Sequence, residues 1–184
     1  MKKHVSGGLA VVALSVLAAL AGARDVAAQP AFTATLKPNQ AIFPGDTAAR
    51  GTAKFRLSGD GRTLHYQVDA FDVGAVSQIH IHLGTVATTL EGEHYHLPPE
   101  LGHGETVGFL LDFSPDGPIA NGTVAKGKLT AVDLMGSLKG QSMKILVDHI
   151  RRGWAYVNVH IVQELGQGRR FCCPTGVRGV LRQD

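Results

Sequence analysis

Nine histidines occur in this 184-residue chain, and three of them sit where an extended backbone would gather imidazoles on one surface. In "SQIHIHLG" (77–84), His80 and His82 are two apart, with Ile79, Ile81 and Leu83 between and around them. In "YVNVHIV" (156–162), His160 follows Tyr156 and Asn158 at the same spacing, interleaved with Val157, Val159 and Ile161. Side chains alternate along a strand, so His80 and His82 leave the same face about 6.5–7 Å apart, opposite an apolar set suited to a core. Imidazole suits copper, zinc, iron or nickel, and three histidines with an open position describe catalytic and transport sites alike. His80, His82 and His160 are therefore candidate ligands of copper or zinc, provided both strands share a sheet in a compatible register. The plainer reading makes them hydrogen-bonding residues paired with backbone or with Asn158. His94 and His96, in "EGEHYHLPPE" beside Glu91 and Glu93, are additional candidates, for the same ion or for a separate exposed site.

The elements that must hold these residues read as strands. "FTATLKP" (32–38), "GTAKFRLS" (51–58), "TLHYQVDAF" (63–71), "SQIHIHL" (77–83), "ETVGFLLDF" (105–113), "GTVAKGKLT" (122–130), "AYVNVHIV" (155–162) and "GVRGVLR" (176–182) alternate or nearly so. Turn clusters such as "SGDG" and "SPDGP" separate them. Ala53, Phe55 and Leu57 share a face, as do Leu64, Tyr66 and Val68, and as do Val107, Phe109, Leu111 and Phe113. One-sided alternation of this kind fits antiparallel sheets with one face on a core. His65 falls on the surface side. One helix interrupts the pattern near 142–152, where Met143, Leu146, Val147 and Ile150 follow helical spacing. Ser142 can cap its start, Arg151 and Arg152 suit its C-terminal end, and Gly153 closes it. His149 lies beside the helix stripe. Thr130 and Asp133 have the spacing of a capped helical turn. The fold class expected is all-β, an antiparallel Greek-key-like sandwich or barrel with this one short amphipathic helix.

Lys2 and Lys3 precede an apolar run, followed by small residues in "DVAAQP". That is the layout of a secretory signal peptide spanning 1–28, with the cut after Ala28 favoured over one after Ala23. Residues 29–184 then form a single domain, secreted or periplasmic, with no membrane span after cleavage. Removing the leader takes Lys2, Lys3, Arg24 and Asp25 from a chain of formal charge +3, leaving a net charge of about +1. A balance so close to neutral gives no footprint for nucleic acid, which is not an expected partner. Cys172 and Cys173 are the only cysteines. A disulfide framework is thereby excluded, and their adjacency in a loop favours a vicinal or intermolecular bridge.

The order of boxes resembles a known family. "IHIHLG", "NGTVAKGKLTAVDL", "LVDHIRRGWAYVNVH" and a terminal "GVRGVL" are similar to the CHRD domain, the chordin-type unit also found singly in secreted bacterial proteins. The resemblance spans about 32–181. Two segments depart from the pattern: the acidic, histidine-bearing 85–104, read as a long loop in which Pro98-Pro99 excludes a regular strand, and 161–175, which carries the cysteines. The resemblance implies an all-β secreted domain with no assigned reaction, and it fixes fold better than activity.

The first functional reading is a non-enzymatic binding module for an extracellular or periplasmic protein or matrix ligand, engaged through 85–104 and 161–175. The alternative is a copper- or zinc-binding extracytoplasmic protein using the strand histidines; a third reading adds metal-dependent redox turnover. A local similarity to copper–zinc superoxide dismutase stops at the His-x-His, because no remaining ligand set follows in order. No nucleophile elbow, P-loop or dinucleotide fingerprint occurs, so no catalytic residue is nominated.

Overall fold

The computed structural model describes residues 29–38, 48–84, 86–88, 94–96, 104–114, 117, 119–164 and 170–184. The segment read as a leader lies outside them. The strands are β1 (Ala31–Leu36), β2 (Arg50–Leu57), β3 (Leu64–Leu83), β4 (Val86–Thr88), β5 (His94–His96), β6 (Glu105–Leu111), β7 (Ile119–Leu129), β8 (Ala155–Glu164), β9 (Arg170–Val180) and β10 (Arg182–Gln183). One helix, α1 (Met143–Arg151), precedes β8.

Strand β3 organises the fold. Two strands were expected over 63–71 and 77–83, yet the chain runs through both as one strand of 20 residues. Its first part pairs with β2 and β7, and its second part with β6 and β8. Between the two parts Asp72 and Gly74 take positive φ (56° and 77°). A non-glycine residue in that region is uncommon, and Asp72 is anchored there by an ion pair with Arg50 of β2. All pairings are antiparallel, in the order β10-β1-β2-β3-β8-β9. At the far end Lys37 bridges to Arg178, and β10 returns to pair with β1. The sheet thus curls into a nearly closed barrel, which removes most of its exposed edge.

The alternation read from sequence holds along β1, β2 and most of β3. Phe32, Ala34, Leu36, Ala53, Phe55, Leu64, Val68, Ile79 and Ile81 are buried. Helix α1 adds Met143, Leu146, Val147 and Ile150 to the same core, as its spacing required. Ser142 occupies the N-cap position in extended conformation, but its side chain makes no capping hydrogen bond. The capping box at Thr130 forms, with Asp133 Oδ2 accepting from the Thr130 amide and hydroxyl.

Three expectations need correction. On β6, Val107 and Leu110 are buried while Phe113 is 56 % exposed, so 107, 109, 111 and 113 do not share one core face. The cause is a pair of irregularities in the β3–β6 ladder, at Ile79/His80 and Ile81/His82, each of which resets the alternation. The segment 85–104 is not wholly loop, because β4 and β5 pair as a short hairpin ending at His96, before the two prolines. Cys172 and Cys173 lie in β9, with Cys172 opposite Val162, because β8 and β9 extend as a long hairpin beyond the expected strand ends.

Ile81 is fully buried where β6, β3 and β8 meet. Ile81→Ala is expected to cost about 2–5 kcal/mol in urea unfolding, whereas exposed Lys139→Ala should stay within about 0.5 kcal/mol.

Candidate metal centre

Antiparallel pairing of β3 with β8 brings the two histidine boxes together. Gln78 lies opposite His160, His80 opposite Asn158, and His82 opposite Tyr156. His160 is thus the diagonal neighbour of His80, a separation that long and aromatic side chains bridge. Ring centroids are 4.9 Å apart for His80–His160, 5.4 Å for His80–His82 and 6.1 Å for His82–His160. One nitrogen from each ring lies within 4.8 Å of the other two. The three sequence-nominated residues therefore converge. For His94 and His96 the structure gives the backbone of β5 only; their side chains lie outside the described residues.

The opposite face of these strands carries Ile79, Ile81, Val157 and Val159, all fully buried. The histidine face is buried too, with His80 6 %, His82 0 % and His160 4 % exposed. Asn158 and Arg178 are buried on the same patch, Arg178 opposite Asn158 across the β8–β9 ladder. So five of the buried polar side chains among the described residues fall in one place. Burying polar groups is costly unless each is partnered, so their concentration needs a local network.

That network assigns protons. His82 Nδ1 lies 2.9 Å from the carbonyl oxygen of Gly104. A carbonyl only accepts, so Nδ1 carries the proton and Nε2 presents a lone pair. Metal-ligating histidines commonly donate their other ring N–H to such a carbonyl, which fixes both tautomer and ring orientation. His80 Nε2 lies 3.0 Å from Gln78 Oε1 and donates to it, so in the neutral ring Nδ1 carries the lone pair. Asn158 Nδ2 lies 3.2 Å from His160 Nε2. In this orientation the amide donates to Nε2. Turning the amide over would let Nε2–H donate to Oδ1 instead and free the Nδ1 lone pair for a metal.

Aromatic residues wall the cluster. Tyr156 stacks on His82 at 5.1 Å and 12°, and Phe109 meets His80 edge-on at 4.4 Å. The Tyr156 hydroxyl accepts from the Gly104 amide at 2.7 Å, and the Arg178 guanidinium lies over its ring. Burial pushes the Tyr156 hydroxyl above its ordinary range, against the opposing pull of the Gly104 amide and Arg178. It stays a neutral phenol and brings no negative charge to the patch.

Gly104 thus holds both His82 and Tyr156. A Cβ there would stand 1.6 Å from the Leu83 carbonyl oxygen, so no side chain fits without moving backbone. Sequence reasoning placed Tyr156 and Asn158 beside His160 by alternation but missed Gly104, Phe109 and Arg178. For Arg178 a signal existed, namely a charged residue inside the apolar "GVRGVL". For Gly104 there was none.

With this geometry in place, comparison with known proteins is decisive for the family: the model of the CHRD domain matches residues 32–167. The chain belongs to the CHRD domain family. His80, His82 and His160, the 3-10 turn at 131–133, α1 and the whole of β8 lie inside that match, whereas the terminal "GVRGVL" box lies beyond it. A search of curated proteins returns no match.

Two outcomes follow for this CHRD domain. Long-range ¹H–¹⁵N spectra should show His82 as the Nδ1–H tautomer, and an Nε2–H signal would contradict the Gly104 anchor. Gly104→Ala should lower stability by about 1–3 kcal/mol or more through strain and lost hydrogen bonds, read as a fall in the urea midpoint.

Proposed function

We propose that this CHRD domain is an extracytoplasmic metal-binding module that holds one copper or zinc ion on His80, His82 and His160. The observation that carries the reading is convergence: nitrogens from all three rings within 4.8 Å, on two strands brought together by the β3–β8 register. A tetrahedral ion with bonds of about 2.0–2.1 Å needs nitrogens about 3.3 Å apart. The rings would close by about an ångström or more, a movement within reach of side-chain rotation. Three neutral imidazoles suit both metals, and the His82–Gly104 bond already sets the tautomer that ligation requires. Two of the three ligands come from adjacent positions of one face and the third from the neighbouring strand, so little backbone order remains to be supplied by the ion itself.

Burial separates binding from turnover. With His82 fully buried and the other two rings nearly so, a substrate has little access to the ion, whereas catalytic centres keep an open position. The module therefore holds metal without redox chemistry on an external substrate. Delivery outside the cytoplasm rests on the leader pattern of residues 1–28, namely Lys2 and Lys3, an apolar run and small residues before the favoured cut. Among the described residues no helix is long and apolar enough to cross a membrane.

Elemental analysis of untagged mature protein, followed by calorimetric titration with zinc and copper, tests this directly. One ion per chain is expected, with affinity falling on acidification because ligation displaces protons. His80→Ala/His82→Ala should weaken binding by about 100-fold or more, and exposed His65→Ala should not. Equal affinity in the folded double variant, or no stoichiometric metal in wild type, would overturn the proposal.

A further inference from the structure

The first half of β3 carries a second feature, on the opposite side of the fold's problem: an exposed face instead of a buried one. Cross-strand register lines up Lys54, Gln67 and Lys126 in one row, and Arg56, His65 and Lys128 in the next. Lys54, Arg56, His65, Lys126 and Lys128 are all exposed, while Ala53, Phe55, Val68, Ala125 and Leu129 between them are buried beneath. Lys54 and Lys126 stand two strand spacings apart, about 9–10 Å, as do Arg56 and Lys128. Gln67 and His65 separate them, so full positive charges do not face each other directly.

The ion pairs among the described residues are Arg50–Asp72, Lys144–Asp148 and Arg151–Asp148, and none draws on this grid. The nearest acid in register, Asp69, lies one row further and is occupied by Gln67 and Thr123. A shallow groove of about 340 Å³ runs over part of the patch, and its lining includes Lys54, Arg56, His65, Gln67 and Lys126 together with one acid, Asp184. Four permanent cations on one face of a domain whose net charge is near +1 once the leader is removed are a local concentration that bulk charge conceals.

We infer that this face docks a linear anionic polysaccharide, through its sulfate or carboxylate groups. Charge complementarity selects a polyanion, and the register of β2, β3 and β7 presents the cations in two parallel rows along which an extended chain can lie. Nucleic acid is disfavoured because single-stranded binders stack bases on aromatic rings. Here Phe55 is buried, and Tyr66 is half-buried with its hydroxyl donating to the Leu110 carbonyl. The surface is separate from the histidine cluster, which lies on the second half of β3, so the inference stands whether or not a metal binds.

The test is titration of the full chain with dextran sulfate and with alginate, which distinguish sulfate from carboxylate, using neutral dextran and a single-stranded oligonucleotide as comparators. At least one anionic polysaccharide should bind, and more weakly as salt is raised. Lys126→Glu/Lys128→Glu should lower affinity about tenfold or more, and Lys126→Gln/Lys128→Gln should lower it less. Lys139→Glu/Lys144→Glu, which makes the same charge change elsewhere on the surface, should leave binding nearly intact. Circular dichroism confirms that each variant is folded. Binding to neither polysaccharide, equal loss in the two Glu variants, or tighter binding of the oligonucleotide would overturn the inference.

Discussion

The antiparallel register between β3 and β8 is the constraint on which the rest depends. A slip of either strand by one residue would turn its own histidines, His80 and His82 on β3 or His160 on β8, into the layer now filled by Ile79, Ile81, Val157 and Val159. Such a slip would exchange a polar layer for an apolar one along that strand and part the histidines, so the burial of both faces locks the pairing. The bend at Asp72 and Gly74 completes the arrangement. It lets one strand serve two parts of the barrel, with a solvated face before the bend and a doubly buried one after it.

That double burial explains why the polar patch is built as it is. A buried imidazole must have its N–H accepted and its lone pair used, and the surrounding groups divide those tasks. The Gly104 carbonyl takes the proton of His82, Gln78 takes that of His80, and the Asn158 amide faces His160. Tyr156 fills the remaining space against His82, its hydroxyl held by the Gly104 amide and its ring covered by Arg178. Each of these partners is fixed by backbone position, either in cross-strand register or through a glycine that admits no Cβ. The partners of the rings are therefore in place before any ion arrives, and what ligation still requires is side-chain rotation and a turn of the Asn158 amide, which limits the ordering cost of binding one.

Much of this was legible in the sequence. Period-two alternation gave the strand faces, including the common face of His80 and His82 and that of Tyr156, Asn158 and His160, and helical spacing gave α1. Adjacency of β3 and β8 was not legible, because register depends on contacts between residues about 80 positions apart. Nor was the continuity of β3. Residues 72–76 fall between the two strands expected there, and the ladders to β2 and β7 before them and to β6 and β8 after them carry β3 across the bend at Asp72 and Gly74. The β6 face was misread because Leu110 and Val107 are extra residues in its ladder with β3, and such bulges arise only on pairing and leave no mark in local periodicity. The cation grid was hidden for a related reason, since Lys54, Arg56, Lys126 and Lys128 become neighbours only when β2 and β7 flank β3. Net charge, the sequence-level quantity, averages that grid away.

The central claim is that three imidazoles from two adjacent strands hold one ion. X-ray absorption spectroscopy of the zinc-loaded protein tests it most directly, because it counts imidazoles around the metal. Three histidine nitrogens at about 2.0–2.1 Å are predicted, with one imidazole lost in His160→Ala. A first shell dominated by oxygen, or one that His160→Ala leaves unchanged, would contradict it.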